Sequence, residues 1–412
     1  MKMTILTLGC KVNQAESAFI EGNILESGNS IVPLSEHPDY CIINTCSVTA
    51  KSDYQSRQLI RRAVRSGAKV IVTGCYSQLR AEEIRTMEGD ITIVQNSAKL
   101  QLINILPTKP EATYLPLNGR SRPCVKIQDG CNFTCTYCIV PKARGRSRSL
   151  AVSDVLEQVL KLESCGFNEI VLTGIHLGSY GKDLSPQLKL SDIITILLDN
   201  TRLRRIRLSS IEMNEVDAEL LDLLQEERIC KHLHIPLQSG DDSILKRMNR
   251  TYSAKAYVRV IESALTCLPD IAIGTDIIVG FPGEGEKEFL NSKSLLDSLP
   301  LAYIHVFPFS LRPDTAACTM SSQVSSAVKK ERAKALNDLN ISKKFAYMSS
   351  HVNKTLDVVV EELPDDQTAI GTSGNYLKVK VCSNACPKQS LVYVRTTGIE
   401  GDLLSGVPIE KP

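Results

Sequence analysis

The sequence predicts an α/β protein in three parts: a doubly wound parallel sheet over residues 1–105, a partial TIM-like (β/α)6 barrel over 124–344, and a small OB-like β-barrel over 345–412. Three observations carry this. Apolar strand patterns alternate with helical patterns through two long stretches, which implies parallel sheets. The segment "LPTKPEATYLPLNGRSRP", rich in proline and without apolar periodicity, separates those stretches and reads as a linker over 106–123. From about Phe345 the pattern turns to period-two, β-branched runs broken by Gly, Asp and Ser.

In the first part, "MTILTLG", "YCIINTC", "KVIVTGC" and "ITIVQ" read as strands. Helices are expected at "NQAESAFIEGNILESG", with Asn13 as N-cap and Gly28 as the stop, at "AKSDYQSRQLIRRAVRSG" and at "AEEIRTM". In the second part the strands are "VKIQ", "NEIVLTG", "RIRLSS", "HLHIPL", "IAIGTDIIVG" and "AYIHVFPF", with "VSDVLEQVLKLESCG" and "SDIITILLDN" among the helices. Six strand–helix units are too few for an eight-stranded barrel, so an incomplete barrel with an open side is expected. In the tail, "TLDVVVEEL", "YLKVKVCS" and "LVYVRTTGI" suggest a barrel of the kind that binds oligonucleotides.

A chain of 412 residues exceeds one core. Its net charge of +2 neither demands nor excludes a nucleic-acid partner, so any basic footprint must be local. No apolar run approaches a membrane span, and the start "MKMTILTLGCKVNQAES" turns acidic too early for a signal peptide. Both point to the cytosol, where the 14 cysteines read as metal ligands, nucleophiles or buried hydrophobes rather than disulfides.

Cys10, Cys46 and Cys75 each fall at or just past the carboxyl end of an expected strand. Ligand sites in such sheets lie outside those ends, so three thiols separated by 35 and 28 residues can meet at one edge. The plainer alternative is three small buried hydrophobes. A second set, Cys131, Cys135 and Cys138, is packed into "QDGCNFTCTYCIVPKARGRSRS". Structural zinc wants four ligands in two separated pairs, a redox pair needs only C-x-x-C, and a nucleophile needs no companions. Three thiolates on a four-iron cluster leave one iron open, which fits the count better.

C-x3-C-x2-C with Tyr137 before its last cysteine resembles the radical S-adenosylmethionine superfamily. "LGCKVNQ", "INTCSVT" and "VTGCYSQ" are similar to the N-terminal domain of its methylthiotransferases. "LTGIHLGSYG", "HLHIPLQSGDDSILKRMNRTY", "TDIIVGFPGE" and "HVFPFSLRPDTAA" are similar to their barrel, and "IGTSGNYLKVKV" to their RNA-binding TRAM domain. The resemblance implies two [4Fe-4S] clusters, held by Cys131, Cys135 and Cys138 and by Cys10, Cys46 and Cys75. It implies that one S-adenosylmethionine methylates sulfur at the N-terminal cluster. A second, chelated by the open iron of the other cluster, is cleaved to a 5′-deoxyadenosyl radical that activates the substrate carbon. Tyr137, Gly174 and Gln238 are the cofactor-side candidates; Gly174 would allow close approach, and a tight turn explains it equally well.

"LGCKVNQ" and "QDGCN" look most like the MtaB branch, which acts on N6-threonylcarbamoyladenosine beside the tRNA anticodon. The branch acting on isopentenyl-adenosine typically carries "GCQMN", and a third acts on a ribosomal-protein aspartate. The implied partners are a tRNA anticodon loop, a flavodoxin- or ferredoxin-like electron donor and a sulfur donor of unstated identity. Arg144, Arg146 and Arg148, "RLRR" at 202–205, and Lys246, Arg247 and Arg250 could track the RNA backbone, although surface charge is the simpler account of any one of them. Competing readings are a radical enzyme whose N-terminal cluster only relays electrons, and a non-catalytic iron–sulfur RNA-binding protein.

Two features depart from the pattern. Asp314 stands in "RPDTAA" where the family usually has Gly, and the tail is short for a complete TRAM domain. Cys41, Cys165, Cys230, Cys267 and Cys318 read as core residues and Cys382 and Cys386 as a loop pair without a site. His232 and His234 share one strand face that could contact cofactor, although ordinary packing with a satisfied hydrogen bond is the simpler account.

Overall fold

The computed structural model describes residues 1–102, 106, 120–382 and 386–411, so most of the expected 106–123 linker lies outside the described residues. The N-terminal sheet is built from β1 (Lys2–Thr7), β2 (Ser30–Ile31), β3 (Tyr40–Thr45), β4 (Lys69–Gly74) and β5 (Ile91–Ile93), all parallel, in the order β2-β1-β3-β4-β5. The chain leaves β1 in one direction and resumes at β3 in the other, which places a topological switch between them. Helices α1 (Lys11–Glu26) and α2 (Ala50–Arg65) cover opposite faces. Ile20 and Ile24 of α1 pack on Met3, Ile42 and Ile71, whereas Ile60 and Ala63 of α2 pack on Cys41, Ile43, Val70 and Val72. Burial on both faces is why these strands read as continuous apolar runs.

Two details differ from the sequence reading. The two-residue β2 carries too little pattern to be recognised. Helix α1 starts at Lys11, with Cys10 rather than Asn13 at the N-cap position. The Asn13 amide is engaged elsewhere, donating to the Leu8 carbonyl at 2.7 Å and the Thr45 carbonyl at 3.0 Å.

The second part begins with β6 (Cys124–Lys126) and a short antiparallel pair, β7 (Gln128–Asp129) and β8 (Arg148–Ser149), that frames the second cysteine loop. It continues through β9 (Glu169–Thr173), β10 (Arg205–Leu208), β11 (His232–His234), β12 (Ala272–Val279) and β13 (Tyr303–Pro308). Strands β6, β9 and β10 form one parallel ladder and β11, β12 and β13 another, with single bridges such as Ser210–His234 between them. All six expected strands are present in chain order, and no ladder among the described residues joins β6 to β13. Helix α1 packs along β6, burying Ala15 against Cys124 and Val171.

A single helix, Ser326–Ser349, leads to the C-terminal part. Phe345 therefore belongs to this helix, and strand structure begins ten residues later, at Thr355, rather than at Phe345. There β14 (Thr355–Asp365), β15 (Thr368–Ser373), β16 (Lys378–Cys382), β17 (Leu391–Glu400) and β18 (Leu403–Ile409) close into a barrel in the order β14-β15-β16-β18-β17. Strand β15 is rich in Gly, Ser and Thr, and β18 is interrupted by Ser405, Gly406 and Pro408; neither is among the strands expected from the sequence. Short as it is, the tail closes on itself and leaves no open edge.

This barrel is docked through buried charge. Glu169 on β9 accepts from Arg205 Nε and Arg207 Nε, each at 2.7 Å, with all three side chains at most 1% exposed. The arginines then reach into the C-terminal barrel, Arg205 to both β14 and β15 and Arg207 to the end of β15 and the turn after it. Arg205 donates to the Asp357 carbonyl at 2.7 Å and the Thr372 carbonyl at 2.9 Å, and Arg207 to the carbonyls of Ser373 at 2.8 Å and Gly374 at 3.1 Å. Arg205 is thus structural, which removes it from the candidate RNA contacts in "RLRR".

Glu169→Ala would strand two buried guanidinium groups, at a cost of about 3–5 kcal/mol. The expected outcome is a lower thermal unfolding midpoint and faster limited proteolysis within 350–411. Unchanged proteolysis would show that the docking does not depend on this carboxylate.

Candidate active site

Strands β1, β3 and β4 lie side by side, so the residues that follow them share one edge of the sheet. Cys46 and Cys75 come directly after β3 and β4, and Cys10 three residues after β1. Two glycines let these loops abut. Gly9 has φ +100°, and a Cβ there would lie 2.8 Å from the Cβ and Sγ of Cys46. Gly74 has φ +101°, and its Cβ would meet the Thr45 carbonyl at 2.3 Å. Cys10 is exposed whereas Cys46 and Cys75 are buried, and burial pushes both buried thiols up from their usual pKa.

Cys131, Cys135 and Cys138 occupy the loop between β7 and the Val140–Arg144 helix. Gly130, at φ +73°, is required there because a Cβ would collide with the Arg146 carbonyl at 2.1 Å. The Phe133 N–H points to Cys131 Sγ at 3.4 Å. Gln128 buttresses the loop: its Nε2 donates to the Gly130 carbonyl at 2.8 Å and to Ser147 Oγ at 2.9 Å, and its Oε1 accepts from the His176 N–H at 2.8 Å. Gly174 makes room for that side chain, since a Cβ there would lie 2.8 Å from Gln128 Oε1. Its lack of a side chain thus serves packing against Gln128.

Two contacts to these thiols had no signal in the sequence. His176 Nδ1 lies 3.8 Å from Cys131 Sγ, and its Nε2 stands 2.9 Å from Glu215 Oε1 without an aligned hydrogen bond. Arg250 Nη1 donates to Cys135 Sγ at 3.4 Å and the guanidinium is ion-paired with Glu212. Arg250, 4% exposed, is therefore not an RNA-tracking residue. Burial pushes the Cys135 thiol up and the Cys138 thiol up to about 12.

Beside Cys138 is a cavity of about 220 Å³ lined by Tyr137, Gln238, Asp276 and Phe309 among others. Gln238 has φ +66°, and its N–H donates to the Asp276 carbonyl at 2.9 Å. Tyr137 and Gln238 thus converge on Cys138, and Gly174 does not line this cavity. His234 is satisfied on both ring nitrogens, by the Tyr303 hydroxyl at 3.0 Å and Asp276 at 2.9 Å. His232 reaches Tyr303 through Nε2 at 2.8 Å, but its buried Nδ1 has no partner among the described residues, so the expected full satisfaction holds for His234 alone.

The two cysteine sets are physically joined. The Cys75–Leu79 helix packs on the Val140–Arg144 helix. Arg144, 1% exposed, donates to Glu16 at 2.9 Å and to Asp129 at 2.9 Å, and also bonds Asn13. Glu16 further accepts from Lys99 at 2.6 Å and Lys126 at 3.0 Å. Although burial opposes its ionisation, these three cations hold the Glu16 carboxyl well below the usual range. Arg144 is accordingly an interdomain residue and not a backbone contact; Arg146, Arg148, Arg202, Arg204, Lys246 and Arg247 remain exposed. Arg312 adds a pairing with Asp53 at 2.6 Å, and Arg80 one with Asp314 at 3.3 Å. Asp314 sits at φ +70°, so it occupies a left-handed position suited to Gly while contributing a carboxylate to this contact.

The donor sets fit iron–sulfur clusters better than single ions. Sulfurs sharing one tetrahedral zinc stand about 3.8 Å apart, given bonds of about 2.3 Å. Among the described residues, the ligand-type atoms that gather in threes within 4.8 Å are those of His234, Asp276 and His305, and neither cysteine set. Wider-set thiols suit ligands on separate irons. Buried thiols with raised pKa also need a cationic centre to hold them as thiolates.

Comparison with known proteins agrees with this division. Residues 125–296 match the radical SAM superfamily, and residues 2–95 match the uncharacterized protein family UPF0004. The chain is 36% identical to the threonylcarbamoyladenosine tRNA methylthiotransferase MtaB of Aquifex aeolicus, covering 88% of this chain and 93% of that protein. It is also 36% identical to the Bacillus subtilis protein of the same name, over 90% of this chain and 88% of the relative. Among solved structures, the radical S-adenosylmethionine methyltransferase TsrM of Kitasatospora setae shares the fold, with a TM-score of 0.57, 14% identity and coverage of 77% of this chain and 75% of that one.

The Glu16 carboxylate gives a pH dependence of known sign. Its folded pKa is depressed, so its stabilisation is present above about pH 4.3, the unfolded value, and is lost as pH falls through the folded one. Thermal unfolding followed from about pH 3 to 7 should show Glu16→Gln less stable than wild type at neutral pH. The gap should narrow in acid. A gap that persists undiminished below the folded pKa would mean that this ionisation is not what joins the units.

Proposed function

Because this chain belongs to the MtaB-type radical S-adenosylmethionine tRNA methylthiotransferases, we propose that it inserts a methylthio group at C2 of N6-threonylcarbamoyladenosine beside the anticodon. The observation that supports this most is the pair of three-thiol sets, one at the carboxyl ends of parallel strands β1, β3 and β4, the other in the loop framed by β7 and β8, joined through the Glu16–Arg144 pairing.

In this reading Cys131, Cys135 and Cys138 hold one [4Fe-4S] cluster, and Cys10, Cys46 and Cys75 hold another. A cluster with three protein ligands has an iron free for S-adenosylmethionine, and together they supply one-electron chemistry able to open an unactivated C–H bond. The chain's own residues hold and shield that chemistry. Arg250 and the Phe133 N–H direct positive charge at the sulfurs of Cys135 and Cys131, favouring their thiolate forms. Tyr137 and Gln238 shape the cavity next to Cys138 and orient the cofactor. Gly174 acts indirectly, by admitting the Gln128 side chain that fixes the loop.

C2 of adenine is inaccessible in a stacked helix, so the target base is taken from a loop, where it can be splayed into a pocket. The exposed Arg146, Arg148, Arg202, Arg204, Lys246 and Arg247 supply phosphate contacts, and the C-terminal barrel acts as a TRAM-type RNA module. A flavodoxin- or ferredoxin-like protein delivers electrons. A cytoplasmic location goes with this role; among the described residues no helix is long and apolar enough to cross a membrane.

Two measurements test the reading. Iron analysis of anaerobically reconstituted protein should give about eight irons per chain, and about four for either Cys10→Ala or Cys131→Ala. Nucleoside mass spectrometry of tRNA from cells lacking the gene should show the methylthio form lost and its threonylcarbamoyl precursor accumulated. An unchanged threonylcarbamoyl pool would refute the substrate. Methylthio product from Cys10→Ala protein would refute the role of the second cluster.

A further inference from the structure

The threonylcarbamoyl group joins threonine through its nitrogen and so leaves the α-carboxylate free. That carboxylate is the one full charge on the modified base. C2 and C6 of adenine flank the same ring nitrogen, so a site that brings C2 to the sulfur must also accommodate the N6 substituent close by. An anion in a partly dry cavity needs a cation of its own.

The cations around the Cys10 edge are nearly all neutralised. Arg207 is bound to Glu169, Arg122 to Glu361 at 2.8 Å, and Arg144 and Lys126 to Glu16. Arg80 pairs with Asp314 and Arg312 with Asp53. His232 cannot serve, because burial and then the charges of Arg207 and Lys11 hold its pKa well below the usual value. Lys11 is different. It follows Cys10 directly, is half-buried, and has no carboxylate partner among the described residues.

Its Nζ lies instead over the Tyr376 ring, 5.9 Å from the centroid. Tyr376, at φ +68° in the turn between β15 and β16, reaches from the C-terminal barrel to stack on His232 with centroids 4.4 Å apart. A π-face accepts no directed hydrogen bond of full strength, so the three ammonium donors of Lys11 remain available to a ligand.

We propose that Lys11 is the specificity residue for the N6 substituent, its ammonium pairing with the free carboxylate of the threonylcarbamoyl group. This rests on the substrate reading above. The ring of Tyr376, which Arg207 and Arg122 also approach at 5.2 and 6.0 Å from its centroid, stands beside the ammonium before substrate arrives. A neutral, apolar N6 substituent would leave the Lys11 charge uncompensated, so the same residue selects against it.

The test uses anticodon stem-loop RNAs that carry either threonylcarbamoyladenosine or its neutral carboxamide analogue. Binding to cluster-loaded protein is measured without reductant, so that nothing turns over. Wild type should bind the carboxylate RNA at least about tenfold more tightly than the carboxamide, as a charge-assisted hydrogen bond implies. Lys11→Gln and Lys11→Met should bind the two equally, and Lys11→Arg should keep a preference. Under turnover, Lys11→Gln should raise KM for the carboxylate RNA and leave KM for the carboxamide RNA unchanged.

Iron content and cluster absorbance, checked for each variant, separate lost recognition from lost clusters. Equal binding of the two RNAs by wild type, or an undiminished preference in both neutral variants, would overturn the assignment of Lys11. If wild type methylthiolates the threonylcarbamoyl RNA while either result holds, only the Lys11 inference falls. If wild type leaves that RNA unmodified, the substrate reading fails first.

Discussion

The pairing of Glu16 with Arg144 is the contact on which the arrangement of the two cysteine sets depends. Each residue lies six positions beyond a cysteine, Glu16 after Cys10 and Arg144 after Cys138, so the pair ties together the segments that leave the two sets. Burying such charges is costly, and a well-packed apolar contact of the same size would be at least as stabilising. What the ionic version adds is direction. A guanidinium presents its donors in a fixed fork, and here its two terminal nitrogens are taken by Glu16, Asp129 and Asn13 together. An apolar interface can slide by small amounts without losing its contacts, whereas hydrogen bonds to a guanidinium weaken as their geometry departs from alignment.

The same device recurs at the other interface. Glu169 neutralises Arg205 and Arg207, and the remaining donors of both arginines are met by carbonyls at the β15–β16 end of the C-terminal barrel. That end carries Tyr376, which is placed against His232 and within reach of Lys11. All three parts of the chain therefore meet around one aromatic ring. The C-terminal barrel is positioned as a wall of the site and not as a tethered appendage.

Much of this was legible in the sequence because it rests on local pattern. The six barrel strands and four of the five N-terminal strands follow from apolar runs, and the cysteines announce themselves by spacing and by their place after strands. The misses share a different cause. Strand β2 has two residues, β15 is built largely from small residues, and β18 is broken by Ser405, Gly406 and Pro408, so that the pairing of both is decided by the barrel around them. His176 and Arg250 lie 45 and 115 residues from the thiols they touch, and nothing in their own neighbourhoods distinguishes them from ordinary polar residues. Arg144 and Arg205 read as surface charge because a buried arginine is intelligible only once its carboxylate partner, far away in the chain, is placed beside it. Gly174 was noticed for the right property, the missing Cβ, yet the neighbour that needs the space is Gln128.

Burial also orders how the N-terminal thiols can be reached. Cys46 and Cys75 are each 6% exposed, whereas Cys10 is open to solvent. Any group approaching this set must therefore pass over Cys10. The residue next to Cys10 is Lys11, and the nearest aromatic surface to its ammonium is Tyr376 from the C-terminal barrel. Whatever enters there is met first by a positive charge and a flat ring. Both features suit a modified nucleobase, and the ring would be lost if the C-terminal barrel were displaced from Arg205 and Arg207, leaving the Lys11 charge without its aromatic neighbour. Docking of the C-terminal barrel and the chemistry at the sulfur-bearing edge are thus coupled through position alone, without any need for a moving part.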